Sequence, residues 1–215
     1  MFSARKYIEV ATFRSSQSNP TSTKGMVLRD NYYGSLKDDV FRRDFTINGL
    51  YYDVMNSEVI DYVGGLEDLN ELKINMIGIP SERFEEDPVR MIRAVRFGAK
   101  LNAAINAKLN KSIVKNAHLI ANVPPARLYE EVIKLFHNEN SLTVFRELSN
   151  LGVLKYLFSQ TQEDPFITAS LINTSERIKI GSSVTPAFLF AVFLWSAQNK
   201  RFDELKKKKM SRIEL

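Results

Sequence analysis

The sequence predicts an α+β protein: a mixed strand-and-helix portion comes first, and an all-helical portion follows. Three observations predict it. Runs with strand-like alternation are confined to the first third of the chain, at residues 6–14, 50–54 and 58–62. From Pro80 onward the apolar residues recur with a helical period instead. Two arginine–carboxylate motifs, Arg42-Arg43-Asp44-Phe45-Thr46-Ile47-Asn48 and Glu86-Asp87-Pro88-Val89-Arg90-Met91-Ile92-Arg93, stand on either side of a Gly64-Gly65 turn. The change of pattern sets a domain boundary, with residues 1–79 as a head and 80–215 as a helical body.

Each element follows from its residues. In 6–14, Ile8, Val10 and Thr12 share one face of a strand, and Glu9, Ala11 and Phe13 share the other. Residues 15–24 are rich in Ser, Thr and Asn and read as a mobile loop. Ser35 can cap a short helix through Asp38, Asp39 and Phe41. Residues 50–54 and 58–62 form two strands around Asn56-Ser57, and 73–77 a further short strand. Asp87 is suited to cap a helix with Pro88 at its first position, continued by Met91, Val95 and Ala99. Pro124-Pro125 opens another helix, with Leu128, Val132, Leu135 and Phe136 on one side. Leu142, Phe145 and Leu148 mark a third, and 177–180 and 186–195 suggest more. The apolar run 187–195 reads as a buried helix, well short of the roughly 20 residues that span a bilayer. Lys206 to Lys209 form a solvated like-charge run.

Composition narrows the function. Hydrophobic content of 44% and charged content of 26% over 215 residues describe an ordinary globular chain. A net charge of +5 favours a polyanionic partner, nucleic acid ahead of membrane. The absence of cysteine excludes disulfides and thiolate metal sites and suits a reducing cytoplasm. His118 and His137 are the only histidines, which argues against a multi-histidine metal site. The first residues, Met1-Phe2-Ser3-Ala4-Arg5-Lys6, are too charged and too short for a signal peptide.

The two motifs carry the chemistry. Asp87 and Arg90 are three apart on an expected helix, so they face the same way, and Glu86 stands within bracing distance of Arg90. An adenine edge offers one amine donor and one ring acceptor. Asp87 can accept from the amine while Arg90 donates to the ring nitrogen; guanine and uracil present the opposite polarity. Read alone, such a segment is more commonly a salt-bridged solvent face. In the first motif, Asp44 and Asn48 point into one cleft if 42–50 is helical. Arg42 or Arg43 can then neutralise a triphosphate, and Asp44 can bond a ribose hydroxyl. The plainer reading is a helix start capped by Asp44. Gly49 inside such a helix costs about 1 kcal/mol relative to alanine and implies a close backbone approach or a weak helix end.

Together these residues resemble class II template-independent RNA nucleotidyltransferases, the family of bacterial poly(A) polymerases and tRNA CCA-adding enzymes. The resemblance covers about residues 8–158 and, more faintly, the segment to Trp195. Arg42 to Asn48 is similar to the family's ribose- and phosphate-facing segment, and Asp61 to Leu69 to its hinge. Glu86 to Arg93 is similar to its base-reading helix, and Pro124 to Glu131 to the helical motif that follows. Within the family, Ile8 to Arg14, Gly25 to Asn31 and Pro124 to Glu131 are closer to the poly(A) polymerase branch. The resemblance implies a polymerase-beta-like nucleotidyltransferase head, present in part, and a helical neck and body. It implies transfer of AMP from ATP to RNA 3′ ends with two Mg²⁺ ions. Glu9 and Asp44 are its implied catalytic residues, with Glu9 the single remaining metal carboxylate. Arg42, Arg43, Asp44, Asn48, Asp87, Arg90 and Arg93 are its implied nucleotide-binding residues.

One departure stands against this agreement. The family's glycine-rich signature and Asp-x-Asp pair should precede Glu9, and the chain contains no Asp-x-Asp. An N-terminally truncated and inactive member is therefore expected, for which a separate N-terminal chain is a complementing partner. A CCA-adding enzyme shares both arginine motifs and is the first alternative. A non-catalytic RNA- or nucleotide-binding remnant is the second.

Overall fold

In the computed structural model, residues 8–15 and 32–210 are described. The loop expected after Ser15 and the segment 25–31 lie outside the described residues. The expected N-terminal strand is corrected: residues 8–13 are not strand, and pairing begins at β1 (Arg14–Ser15), antiparallel to β2 (Tyr32–Tyr33). Ile8 and Val10 are each more than 90% exposed. Alternation alone does not hold a strand; a neighbour must accept its ladder bonds and cover its apolar face.

Helix α1 (Leu36–Arg42) starts as expected. Ser35 accepts from the Asp38 amide and Asp38 accepts from the Ser35 amide, a reciprocal cap. The expected helix over 42–50 is corrected. The chain leaves α1 in extended form, and Phe45 bridges to Met76. A single 3₁₀ turn then spans Thr46–Asn48. Strands β3 (Tyr51–Asp53) and β4 (Glu58–Ile60) form the expected antiparallel hairpin.

Gly64 has φ 77°, which favours glycine, and leads into α2 (Gly65–Asn70). At Gly65 a Cβ would stand 2.3 Å from the Thr46 carbonyl oxygen, so α2 abuts the 3₁₀ turn with no room for a side chain. The buried Asp68 fastens this contact, accepting from Thr46 Oγ1 and Asn75 Nδ2, each at 2.6 Å. Gly49 also sits in a close approach, its Cβ position 2.8 Å from Val63. Both glycines therefore stand in close contact with their neighbours, Gly65 with the first motif and Gly49 with Val63.

Strand β5 (Lys73–Ile74) pairs in parallel with β6 (Ala104–Ile105), which the sequence pattern does not announce. From Pro80 the chain is otherwise helical: α3 (Pro80–Glu86), α4 (Val89–Leu101), α5 (Ala107–Asn116), α6 (Pro125–Phe136), α7 (Ser141–Asn150) and the single turn α8 (Leu154–Leu157). Helices α9 (Pro165–Lys179) and α10 (Pro186–Met210) are longer than the expected 177–180 and 186–195. Asp164 caps α9 through the Ile167 amide, with Pro165 at its first position. In α10, Leu189, Val192 and Phe193 are buried but Leu194 and Trp195 are about half exposed, so the apolar run covers the core on one side only.

One apolar core joins the two portions. It runs from Phe45, Ile74 and Phe84 through Met91, Ile92 and Val95 on α4 to Leu135, Phe136, Phe145 and Phe193. Phe193 lies between Phe136 and Phe158, with ring centroids 4.6 and 4.5 Å away. α4 is the central helix, packed against α3, α6, α7, β5 and β6. Elements change character at Pro80, but the packing continues across it. Gly65→Ala should lower unfolding free energy by about 2 kcal/mol, because its Cβ meets backbone. Gly152→Ala, at φ 69° with open space around it, should cost about 1 kcal/mol. Urea denaturation of the two variants reads the difference.

Candidate functional site

The first motif and α4 enclose a cleft of about 420 Å³. Arg42, Arg43, Asp44 and Asn48 line it from the first motif, and Asp87, Arg90, Arg93 and Phe97 from the second motif and α4. Arg127 and Glu131 of α6 reach it as well. Five arginines thus face three carboxylates, an arrangement that favours an anionic ligand. Every sequence-predicted site residue except Glu9 lines this cleft. Glu9 is exposed and lies outside it.

Asp44 is placed by the extended segment after α1. One carboxylate oxygen accepts from the Phe45 amide and from Asn48 Nδ2 at 2.9 Å. The 3₁₀ turn thus delivers the Asp44–Asn48 meeting expected of a helix. The other oxygen accepts from Arg93 Nε at 2.5 Å. Burial pushes the Asp44 carboxyl up, but the bonds from Arg93 and Asn48 outweigh it and hold it below the usual carboxylate range.

Arg42 and Arg43 are held by a carboxylate the sequence reading did not use. The buried Asp39 accepts from Nε and Nη2 of Arg42, Nε of Arg43, the Arg14 amide and the Tyr51 hydroxyl. Burial works against the charged form there too, and the Tyr51, Arg42, Arg14 and Arg43 bonds hold the carboxyl far below its ordinary value. Burial and the Asp39 bond push the Tyr51 hydroxyl up. Arg43 also donates to the Asn48 carbonyl and the Tyr51 oxygen, so each of its three nitrogens is bonded within the protein.

The second motif lies at a break between helices. Asp87 is extended (φ −151°, ψ 94°) and its Oδ1 accepts from the Val89 amide; the expected cap is corrected, since Pro88 rather than Asp87 is the N-cap of α4 and Val89 its first residue. Its Oδ2 accepts from Arg127 Nη2 at 2.6 Å. Arg90 donates to Glu86 at 2.7 Å and to the Arg83 carbonyl at 2.8 Å. Asp87 and Arg90 therefore line the cleft without a bond between their side chains. Neither opens to bulk solvent, with side chains 18% and 14% exposed.

Sequence reasoning missed the parts played by Arg83, Phe97, Arg127 and Glu131. Helical spacing contained a signal for each. Phe97 follows Arg93 by one turn, and the Arg93 guanidinium lies over its ring at 5.4 Å. Arg127 and Glu131 are four apart within α6. Arg83, three before Glu86, donates to it at 2.7 Å; burial and then the nearby Arg90 pull its guanidinium below the usual range. Arg96 stands 3.7 Å from Glu131.

Comparison with known proteins bears on this geometry. Residues 1–75 match the Poly A polymerase head domain, and residues 104–164 match the "Probable RNA and SrmB- binding site of polymerase A". Poly(A) polymerase I of Salmonella typhi is 44% identical over 206 residues, covering 87% of this chain and 44% of that protein. The chain belongs to the class II template-independent RNA nucleotidyltransferases. The family is one of enzymes, and its head and helical body correspond to the α+β fold described above. A CCA-adding enzyme of Limosilactobacillus reuteri is 38% identical over 138 residues, covering 64% of this chain and 34% of that protein. The solved Bacillus stearothermophilus CCA-adding enzyme in complex with CTP matches with a TM-score of 0.60 at 29% identity. That match covers 76% of this chain and 38% of the solved one. The chain spans less than half the length of these relatives.

The depressed Asp44 carboxyl sets a pH dependence. A group held below its ordinary value near 3.8 contributes stability above that value and loses it as pH falls through the lower, folded-state value. Thermal unfolding followed by calorimetry should give a nearly constant Tm from pH 7 to about 5 and a steep fall below about pH 4. Asp44→Asn should lower Tm by about 4 °C at pH 7 and flatten that fall.

Proposed function

We propose that the cleft binds ATP, and that the chain is the nucleotide- and RNA-binding portion of a poly(A) polymerase-type 3′-end nucleotidyltransferase. The carrying observation is that Asp87 and Arg90 line the same cleft as Arg42, Arg43, Asp44 and Asn48. A carboxylate has about four acceptor sites, so Asp87 can hold Arg127 and still accept from an adenine amine. Arg90 uses Nη1 within the protein, and its remaining N–H groups are available to a ring nitrogen. Arg93 keeps both Nη groups for phosphate while its Nε fixes Asp44 for a ribose hydroxyl. Arg43 acts on the triphosphate mainly through its charge, since three of its five N–H groups are engaged. The RNA-binding match over 104–164 supports an RNA 3′ end as the second substrate. A chain without cysteine suits the cytoplasm.

Higher identity over more of the chain favours the poly(A) branch over the CCA-adding branch, which the solved structure with CTP keeps as the second reading. In the family, Mg²⁺ would supply charge neutralisation at the α-phosphate. The described residues do not fit that ion. Among them no group of three carboxylates or histidines can hold a metal. Residues 1–215 alone are therefore proposed to bind nucleotide and RNA without turnover.

Titration calorimetry should show ATP binding, with GTP at least tenfold weaker because mismatched polar groups cost about 1–3 kcal/mol. Asp87→Ala and Arg90→Ala should each lower ATP affinity about tenfold; unchanged affinity sinks the base-reading role. Labelled ATP, Mg²⁺ and an RNA primer should yield no tail. Robust addition of A would refute the lack of turnover, and C added before A to a tRNA without its end would favour the CCA-adding branch.

A further inference from the structure

We propose that Arg83 is a positioning residue that couples the triphosphate-facing and base-reading halves of the cleft, so that each half is ordered by occupation of the other. The proposal rests on the cleft being a nucleotide site. Arg83 does not line the cleft. It sits in the last turn of α3 with its side chain 14% exposed. Its Nη2 donates to two successive carbonyls, Arg42 at 2.7 Å and Arg43 at 2.6 Å, some 40 residues away in sequence. These carbonyls stand where α1 ends, and the last carbonyls of a helix have no partner of their own. Arg83 supplies that partner, and by doing so fixes where the Arg42 and Arg43 side chains leave the backbone.

The other half of the link runs to Arg90. Nη1 of Arg83 donates to Glu86 at 2.7 Å, and the same Glu86 oxygen accepts from Arg90 Nη1. That Arg90 nitrogen also donates to the Arg83 carbonyl. Arg83 therefore meets Arg90 twice, through a shared carboxylate and through its own main chain. A planar guanidinium can serve two carbonyls and a carboxylate at once, whereas a lysine ammonium is a point donor on a flexible stem. The Arg83 Nε is buried with no hydrogen-bond partner, a cost that a merely space-filling side chain at this position would avoid. Displacing the Arg42–Arg43 backbone must move Arg83, and moving Arg83 shifts the acceptors that orient Arg90.

The test uses the chain as it stands, with ATP, adenosine and inorganic tripolyphosphate titrated separately by calorimetry, alongside Tm. Wild type is expected to bind ATP and both fragments. Arg83→Met should lower ATP affinity about tenfold while adenosine and tripolyphosphate each fall less than about threefold, because the link rather than either subsite is lost. Arg83→Lys should keep Tm within about 3 °C of wild type and still fail to restore ATP affinity; it carries the comparison if Arg83→Met does not fold. ATP affinity unchanged in Arg83→Lys, or equal proportional losses for all three ligands, overturns the coupling and leaves the nucleotide reading intact. Failure of wild type to bind ATP overturns the nucleotide reading and the coupling with it.

Discussion

Crowded arginine charge is the constraint on which this structure depends. Five guanidinium groups face one cleft, with Arg83 and Arg96 close behind them. Like charges at this spacing repel, and partial burial strengthens the repulsion. The protein answers with carboxylates placed one by one: Asp39 beneath Arg42 and Arg43, Asp44 against Arg93, Glu86 between Arg83 and Arg90, and Asp87 against Arg127. Each pair also settles where an arginine points. The cleft lining keeps an excess of arginine over carboxylate, five to three.

That placement comes from interruptions in regular structure. A continuous helix over the first motif would leave Asp44 without its extended backbone and Phe45 without its bridge to Met76. The extended segment, the 3₁₀ turn and the Gly65 contact bring Asp44, Asn48 and Arg43 to the cleft together. In the second motif the break at Asp87-Pro88 turns a carboxylate sideways, so that it both bonds the first amide of α4 and receives Arg127 from α6. The helical body thereby reaches the cleft that holds Asp87 and Arg90.

Residues with strong local signals were legible early. Ser35 with Asp38 is a self-contained cap, Asn56-Ser57 sits in a hairpin turn, and Pro125 opens α6, because each depends on neighbours within a few residues. The tips of the motifs were legible as a chemical set for the same reason: acid and guanidinium stand within one or two turns of each other. The long-range contacts of Arg83 and Asp39, and strand β6, were not. Arg83 acts on carbonyls some 40 residues away, Asp39 gathers groups from Arg14 to Tyr51, and β6 is two residues long and held by β5. The N-terminal alternation misled in the opposite direction, since Ile8 and Val10 carry a strand pattern without the partner that makes a strand.

By itself the sequence determined the change to helical spacing at Pro80, the local caps, the basic excess and the acid–guanidinium sets of the two motifs. Periodicity, capping and charge are local properties, and they survive being read in one dimension. Only the tertiary structure decided who pairs with whom. Asp87 took Arg127 rather than Arg90, Arg90 took Glu86, and Glu9 stayed outside the cleft. Guanidinium groups on long side chains can reach many acceptors, and only packing around α4 fixes which of those acceptors come within hydrogen-bond distance.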